Sequence, residues 1–184
     1  MIICVWTSGG EPVPGRSTLR QRCERLVATL DVPTPLDIQV LCQRVGQRMN
    51  RRILLCPMAM PAGGPCGVWI TTDEHDMILF EQLTSPLHQR LIILHELGHL
   101  VAQHVPVTVD DHDATRLLVP DLDPDVVARM LGRTQFTAEE ERAAELIASL
   151  ILHRATEWAP TPQWTIPAEA AAVIKRIGNV LGNG

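Results

Sequence analysis

The segment Leu91–Val101, with the sequence LIILHELGHLV, places two histidines and a glutamate in an otherwise apolar run. His95 and His99 are four residues apart, so they share one face of a helix and can bind the same metal ion. Glu96 follows the first histidine and can reach a water held between the two. The alternative is a buried helix with two chance histidines. Burying an unpaired glutamate and two imidazoles among apolar residues is costly, so we expect a metal site.

Length and composition indicate one domain with no affinity of its own for nucleic acid. The chain has 184 residues, of which 46% are hydrophobic and 20% charged, and its formal net charge is −5. Its five cysteines are odd in number and form no CxxC pair, which favours a reduced, cytoplasmic compartment.

The apolar start has no basic region before it, and no apolar run reaches the roughly 18 residues of a membrane span. We expect a soluble cytoplasmic protein that binds neither nucleic acid nor membrane directly.

Glycine, proline and apolar spacing divide the chain. Residues 1–16 end in GGEPVPG and are predicted to form a flexible arm, while 17–184 are predicted to form a single domain. Apolar periodicity and capping residues predict the helices of this domain. They are a helix capped by Ser17, helices at 36–49, 86–104 and 124–131, a helix opened by a capping box of Thr137 and Glu140, and a C-terminal helix at 168–181.

Three short β-prone runs precede the HELGH segment, namely ILLCPMAM, GVWITT and MILF. The last two are separated by four polar residues and predict an antiparallel hairpin. We therefore expect an α+β fold in which a small, mostly antiparallel sheet packs on the HELGH helix and on the later glutamate-bearing helix. An unpaired edge at Gly67–Thr72 or Met77–Phe80 could take an extended peptide by strand addition.

A catalytic zinc site usually has three protein ligands, so a third ligand is needed. His104 is nine residues after His95, about 180° around a continuing helix, and is predicted to point away from the pair. The acidic run that opens the later helix is the better source. Glu141 is the predicted ligand and Glu140 the alternative, although a solvated acidic first turn also accounts for Glu140. Glu145, one turn beyond Glu141, is predicted to accept a hydrogen bond from the outer nitrogen of a ligand histidine.

Three alanines follow Glu141 on this helix and are small enough to let it approach the HELGH helix closely. They are Ala143, Ala144 and Ala148.

The β-hairpin, the HELGH helix and the later segment EEERAAELIASLIL, in this order, resemble the ImmA/IrrE family of small zinc peptidases, a branch of the gluzincins. The resemblance covers about residues 17–155. It implies a minimal gluzincin-like metallopeptidase fold with zinc held by His95, His99 and Glu141, and with Glu145 as the acidic partner. The sequence has Ala143 where the family commonly has a second glutamate.

The resemblance also implies a function. The protein would be a zinc-dependent endopeptidase of narrow specificity, with Glu96 as the base that accepts a proton from the attacking water. Its substrate would be a DNA-binding transcriptional regulator, a helix-turn-helix repressor or antitoxin-like protein, whose cleavage derepresses genes. Manganese could occupy a similar site. His112, in an acidic loop, is a candidate to stabilise the oxyanion, with His75 and His153 as weaker ones. The alternative is a metal-binding, toxin-like interaction protein that sequesters a regulator without proteolysis.

Overall fold

The fold is known from a computed structural model. It describes residues 18–60, 64–71, 74–104, 107–108, 136–155, 157–160 and 162–181. The predicted arm at 1–16, the predicted helix at 124–131 and His112 lie outside these residues.

The sheet of this α+β fold is mixed, with the strand order β1-β3-β2-β4. Its strands are β1 (Arg52–Met58), β2 (Gly67–Thr71), β3 (His75–Glu81) and the two-residue β4 (Val107–Thr108). β2 and β3 pair antiparallel, which confirms the predicted hairpin. β1 and β4 pair in parallel with β3 and β2 respectively, so the expectation of a mostly antiparallel sheet is wrong. The reason is that β1 lies beside the second arm of the hairpin, so β3 is central and Met77–Phe80 is not an edge.

Five helices surround this sheet in the described part of the chain. They are α1 (Leu19–Thr29), α2 (Ile38–Met49), α3 (Pro86–Val101), α4 (Ala138–Arg154) and α5 (Ala171–Leu181). Thr18, rather than the predicted Ser17, caps α1, because its side chain and that of Gln21 form a capping box. The predicted caps of α3 and α4, Ser85 and Thr137, are confirmed. None of these helices is long and apolar enough to cross a membrane.

The sheet lies between two apolar clusters, since alternate residues of a strand point to opposite faces. Leu55 and Ile78 point to the face covered by α1 to α4, and Leu54 and Met77 point to the other face. The second face is covered by α5 through Ile174 and other apolar residues. Both faces are therefore buried, which explains why the strands read as continuous apolar runs.

α3 and α4 pack closely, at a contact between Gly98 and Ala144. A Cβ atom at Gly98 would lie 2.8 Å from the carbonyl oxygen and 2.9 Å from the Cα of Ala144. Ala144 is fully buried, and Ala143 and Ala148 beside it are also buried. This agrees with the prediction that small residues let α4 approach α3 closely. Glu141 lies one turn before Ala144, so this contact brings the start of α4 to the histidines of α3.

A buried carboxylate, Asp76, links β3 to β2 and to Arg51 just before β1. Asp76 on β3 accepts hydrogen bonds from Arg51 Nε at 2.8 Å and from Trp69 Nε1 at 3.1 Å. Arg51 also donates to Thr71 Oγ1 at 3.0 Å. Because a buried carboxylate is stable only when it is paired, this arrangement fixes the position of β2 against β1 and β3.

Candidate metal centre

Three potential ligand atoms meet where α3 contacts α4. His95 Nε2 and His99 Nε2 are 3.1 Å apart. Glu141 Oε2 lies 3.2 Å from His95 Nε2 and 3.8 Å from His99 Nε2. These residues form a group that could hold a metal ion. The structure therefore brings together the two histidines and the carboxylate that the sequence predicts, although His95 and Glu141 are 46 positions apart in the chain.

The spacing of the three atoms suits a small tetrahedral ion. Ligand atoms about 2.0–2.1 Å from one zinc ion at tetrahedral angles lie about 3.3 Å from each other. The three separations lie close to that distance. The His99 side chain is 1% exposed, whereas those of His95 and Glu141 are 29% and 41% exposed. One side of the group is thus packed in the core and the other side is open, as a site with a free coordination position requires.

Glu96 lies beside this group in a largely apolar setting. Burial, and to a smaller extent the negative charge of Glu141, raises the pKa of its carboxyl to about 8. The backbone N–H of Trp69 donates to the Glu96 carboxylate and opposes this rise in pKa. Gly67 also permits the position of Glu96, since a Cβ at Gly67 would lie 2.8 Å from Glu96 Oε1. A buried carboxyl with a raised pKa beside a set of metal ligands is the usual environment of a general base.

His99 is held by two aromatic neighbours. Its ring stacks on that of Phe136, with the centroids 3.6 Å apart. Its Nδ1 lies 2.9 Å from His104 Nδ1. Burial, together with the nearby His95 and His104, lowers the pKa of His99 to about 3. His99 is therefore neutral at physiological pH, the form that binds a metal.

His104 does not point away from the histidine pair as the sequence predicts. That prediction assumed that α3 continues to residue 104, whereas the helix ends at Val101 and Gln103 adopts a left-handed φ of 58°. The chain reverses direction at Gln103, which places the His104 ring beside Nδ1, the outer nitrogen of His99. His104 remains excluded as a ligand in the described metal group, because it meets His99 on the nitrogen opposite the one that faces Glu141.

Glu140, the alternative ligand, and Glu145, the predicted hydrogen-bond partner, both lie outside the group of three ligand atoms. Glu140 Oε2 accepts hydrogen bonds from the backbone N–H and the hydroxyl of Thr137 at 2.7 and 2.8 Å, and these bonds lower the pKa of its carboxyl. Glu140 is thus occupied in capping α4, which favours Glu141 as the ligand. Glu145 lines the cleft, but in the described residues no hydrogen bond joins it to His95 or His99. The outer nitrogen of His99 faces His104 instead, and the predicted hydrogen bond from Glu145 to a ligand histidine stays a prediction.

The candidate centre lies in a cleft of about 710 Å³. Apolar side chains form much of its wall, among them Val68, Leu91, Ile92, Phe136 and Leu152. The weaker oxyanion candidates, His75 and His153, are not among the described residues that line it. Leu91 is 38% exposed, and Leu87 one turn before it is 55% exposed, so α3 is less completely buried than its apolar sequence suggests.

One edge of β2 borders this cleft. Glu81 N–H donates to the carbonyl of Cys66 directly opposite, at 2.9 Å. Because hydrogen-bonded pairs alternate along an antiparallel ladder, the backbone groups of Gly67 and Trp69 point away from β3. β4 pairs with β2 only at Ile70 and Thr71. Within the described ranges, the cleft end of β2 therefore has no strand on its outer side.

Comparison with known proteins adds no assignment. No protein-family model matches the chain, and neither a curated protein nor a solved structure is significantly similar to it. The class defined by fold and site is thus an α+β protein with a candidate metal centre of two histidines and a glutamate.

Sequence reasoning missed several residues that build the site. Gly67 and the backbone of Trp69 position Glu96, and Phe136 packs on His99. Phe136 directly precedes the Thr137 cap of α4, and a hydrophobic residue at that place is a known companion of helix starts, so it had a weak local signal. The backbone role of Trp69 had none, because it depends on the pairing of β2.

Proposed function

We propose that this protein is a zinc-dependent endopeptidase of the type that the ImmA/IrrE resemblance implies. The observation that carries the proposal is the meeting of His95 Nε2, His99 Nε2 and Glu141 Oε2 beside the buried carboxyl of Glu96, in an open cleft. A structural zinc site would be closed by four protein ligands. Here the described ligand set is three, with a general-base candidate next to it, which is the composition of a hydrolytic centre.

The chemistry follows from the position of each residue. A zinc ion bound by the two histidines and Glu141 would supply Lewis acidity that activates water near neutral pH. Glu96 accepts a proton from the attacking water and then gives a proton to the leaving amide nitrogen. A hydrogen bond from the Trp69 backbone N–H favours the ionised form of the Glu96 carboxyl. Glu96 is a base only when ionised, so positive charge beside it favours its active form.

The substrate lies along the cleft. The outer backbone groups of Gly67 can pair with an extended peptide, which then crosses the cleft in front of Glu96. The apolar wall accepts large apolar side chains of that peptide. A DNA-binding regulator, as the resemblance implies, would have to expose an extended segment to bind in this way, which restricts the enzyme to few substrates.

The test is the substitution Glu96→Gln, which removes the base and retains the size of the side chain. We expect cleavage of the regulator substrate to fall by about 10²–10⁴-fold, the usual contribution of a general base. Zinc content and binding of the regulator should be unchanged. Glu24→Gln, the same change at an exposed ion pair on α1, is the matched control and should cleave at the wild-type rate.

Two outcomes would contradict the proposal. Equal cleavage by Glu96→Gln and the wild type would show that the hydrolysis has another source. Tight binding of the regulator with no cleavage by the wild-type, zinc-loaded protein would favour the metal-binding protein that sequesters its partner.

A further inference from the structure

The chain reverses direction at the end of α3, and this turn places His104 beside the candidate metal centre. His104 N–H donates to the carbonyl of His99 at 3.1 Å, and Gln103 N–H donates to that of Leu100 at 3.1 Å. With Gln103 in the left-handed region, these are the two bonds of a Schellman motif. The motif fixes where residue 104 leaves the helix, so the position of the His104 ring follows from the backbone.

The two imidazole rings of His99 and His104 face each other through Nδ1. Their Nδ1 atoms are 2.9 Å apart, a normal hydrogen-bond distance, so one ring donates and the other accepts. The Nε2 atom of His99 faces His95 and Glu141 and must keep its lone pair to bind a metal. The proton of a neutral, metal-binding His99 is therefore on Nδ1, and His104 Nδ1 is the acceptor.

We propose that His104 is a positioning residue for the metal centre, fixing the tautomer and the ring orientation of His99 through this hydrogen bond. The inference rests on the proposed metal site. In many metal sites a carboxylate or a backbone carbonyl takes this place. Here the acceptor is a neutral imidazole, delivered by a helix-ending turn.

The surroundings of the pair support this role. Phe136 stacks on His99 with the centroids 3.6 Å apart, and its centroid lies 5.8 Å from that of His104. The two histidine rings are steeply inclined to each other, at 69°. Phe136 packs on the face of the His99 ring and His104 contacts its edge, so both neighbours oppose rotation about the Cβ–Cγ bond of His99.

The experiment compares three substitutions of His104 with the wild type. His104→Asn places an amide oxygen on Cγ, where Nδ1 is attached in histidine, and so retains the acceptor. His104→Gln moves the amide one carbon further out. His104→Leu removes the acceptor but keeps an apolar side chain of similar reach. The zinc dissociation constant is measured by competition with a chelator, and thermal unfolding of the metal-free proteins reports on the fold.

We expect zinc binding to weaken by about 10–100-fold in His104→Leu, the usual effect of losing such a partner. His104→Gln should be weakened to a similar extent, and His104→Asn should stay within about threefold of the wild type. A general structural role would not produce this order, because Asn is the smallest of the three side chains. Wild-type affinity in His104→Leu would overturn the inference, as would equal weakening in His104→Leu and His104→Asn.

A second pair of variants tests the same role without changing His104. Gln103→Gly adopts the left-handed conformation without strain and should bind zinc as the wild type does. Gln103→Val disfavours that conformation and should weaken zinc binding as His104→Leu does. Unchanged zinc binding in Gln103→Val would count against the turn as the source of the His104 position.

These results separate the inference from the proposed function. A wild-type chain that binds no zinc refutes the metal centre itself. A wild-type chain that binds zinc, with His104→Leu equally tight, refutes only the role of His104.

Discussion

Gly67 lies where β2 passes the base candidate of the centre, and the absence of a side chain there is required. A Cβ at this position would lie 2.4 Å from Ile92 Cγ2 and 2.8 Å from Glu96 Oε1. We predict that Gly67→Ala displaces the Glu96 carboxyl and lowers the cleavage rate by about 10–100-fold, since small misplacements of a catalytic group are costly. Zinc affinity should be unchanged, because the atoms nearest to that Cβ belong to Ile92 and Glu96, and neither residue is a predicted metal ligand.

The control for this prediction is Gly178→Ala on α5, where a Cβ would have no neighbour within 4 Å. It should cleave at the wild-type rate. A full rate in Gly67→Ala would show that Glu96 is not held by β2, whereas loss of zinc together with activity would point to a wider disturbance of the cleft.

For single residues, the sequence predicts those positions that depend only on neighbouring residues in the same helix. His95, Glu96 and His99 follow from helical spacing, whereas Glu141 was predicted from Glu145 one turn beyond it and from the family resemblance. The position of His104 could not be predicted, because it depends on a left-handed turn at Gln103, a residue type with no preference for that conformation. The failure was in locating the end of α3, and helix ends are the least predictable part of a helix.

At the scale of elements, the contact between α3 and α4 sets the distance between the histidines and Glu141. We predict that Gly98→Ala forces the two helices apart, since its Cβ would lie 2.8 Å from the backbone oxygen of Ala144. The free energy of unfolding should fall by about 1–3 kcal/mol, the usual cost of overpacking. Zinc binding should weaken as well, because Glu141 is carried away with α4.

Gly178→Ala makes the same chemical change in an exposed turn of α5 and is expected to raise the free energy of unfolding by up to about 1 kcal/mol. Urea unfolding of both variants, with and without zinc, is the measurement. Gly98→Ala as stable as the wild type, with wild-type zinc affinity, would rule out this contact as the determinant of the site.

The sheet shows which element pairings a sequence can predict. The β2–β3 hairpin was predictable because its strands are joined by a short polar turn. The parallel pairing of β1 with β3 was not, since β1 precedes β2 and nothing local indicates which strand it will join. That pairing makes β3 central and leaves β2 as the strand beside the cleft.

At the scale of the whole molecule, the centre is built on one side of a sheet that is buried on both faces. α5 and the segment before it cover the face away from the cleft, where Ile174 and Ile177 pack on the strands. The described side chains of the metal centre all lie on α3 and α4, which share the other apolar cluster. The apolar cluster under α5 is thus separate from the cluster that supports the candidate metal centre.

Two buried thiols give the whole fold a predicted sensitivity to alkali. Burial raises the pKa of Cys42 and of Cys56 to about 12, well above that of an exposed thiol. In an unfolded chain these thiols lose their protons near pH 9, while in the folded protein they keep them. The stabilising contribution is therefore complete below pH 9 and is lost progressively as pH rises from about 9 to 12.

We predict that the free energy of unfolding falls more steeply with pH above 9 in the wild type than in Cys42→Ala. The slope difference should approach about 1.4 kcal/mol per pH unit, the value for one proton. The comparison is made by urea unfolding at pH 8, 9.5 and 10.5. The cavity left by alanine lowers the free energy of unfolding equally at each pH, so a difference in slope between the two proteins reports only the lost thiol. Parallel curves for the two proteins would contradict the assigned burial of Cys42.

The most direct test of the central claim is an anomalous difference map from crystals grown with zinc. We predict one peak per chain, about 2.0–2.2 Å from His95 Nε2, His99 Nε2 and a carboxylate oxygen of Glu141. The peak should disappear in Glu141→Gln and remain in Glu140→Gln. No peak among these three side chains, or a peak that survives in Glu141→Gln and disappears in Glu140→Gln, would contradict the proposed metal centre.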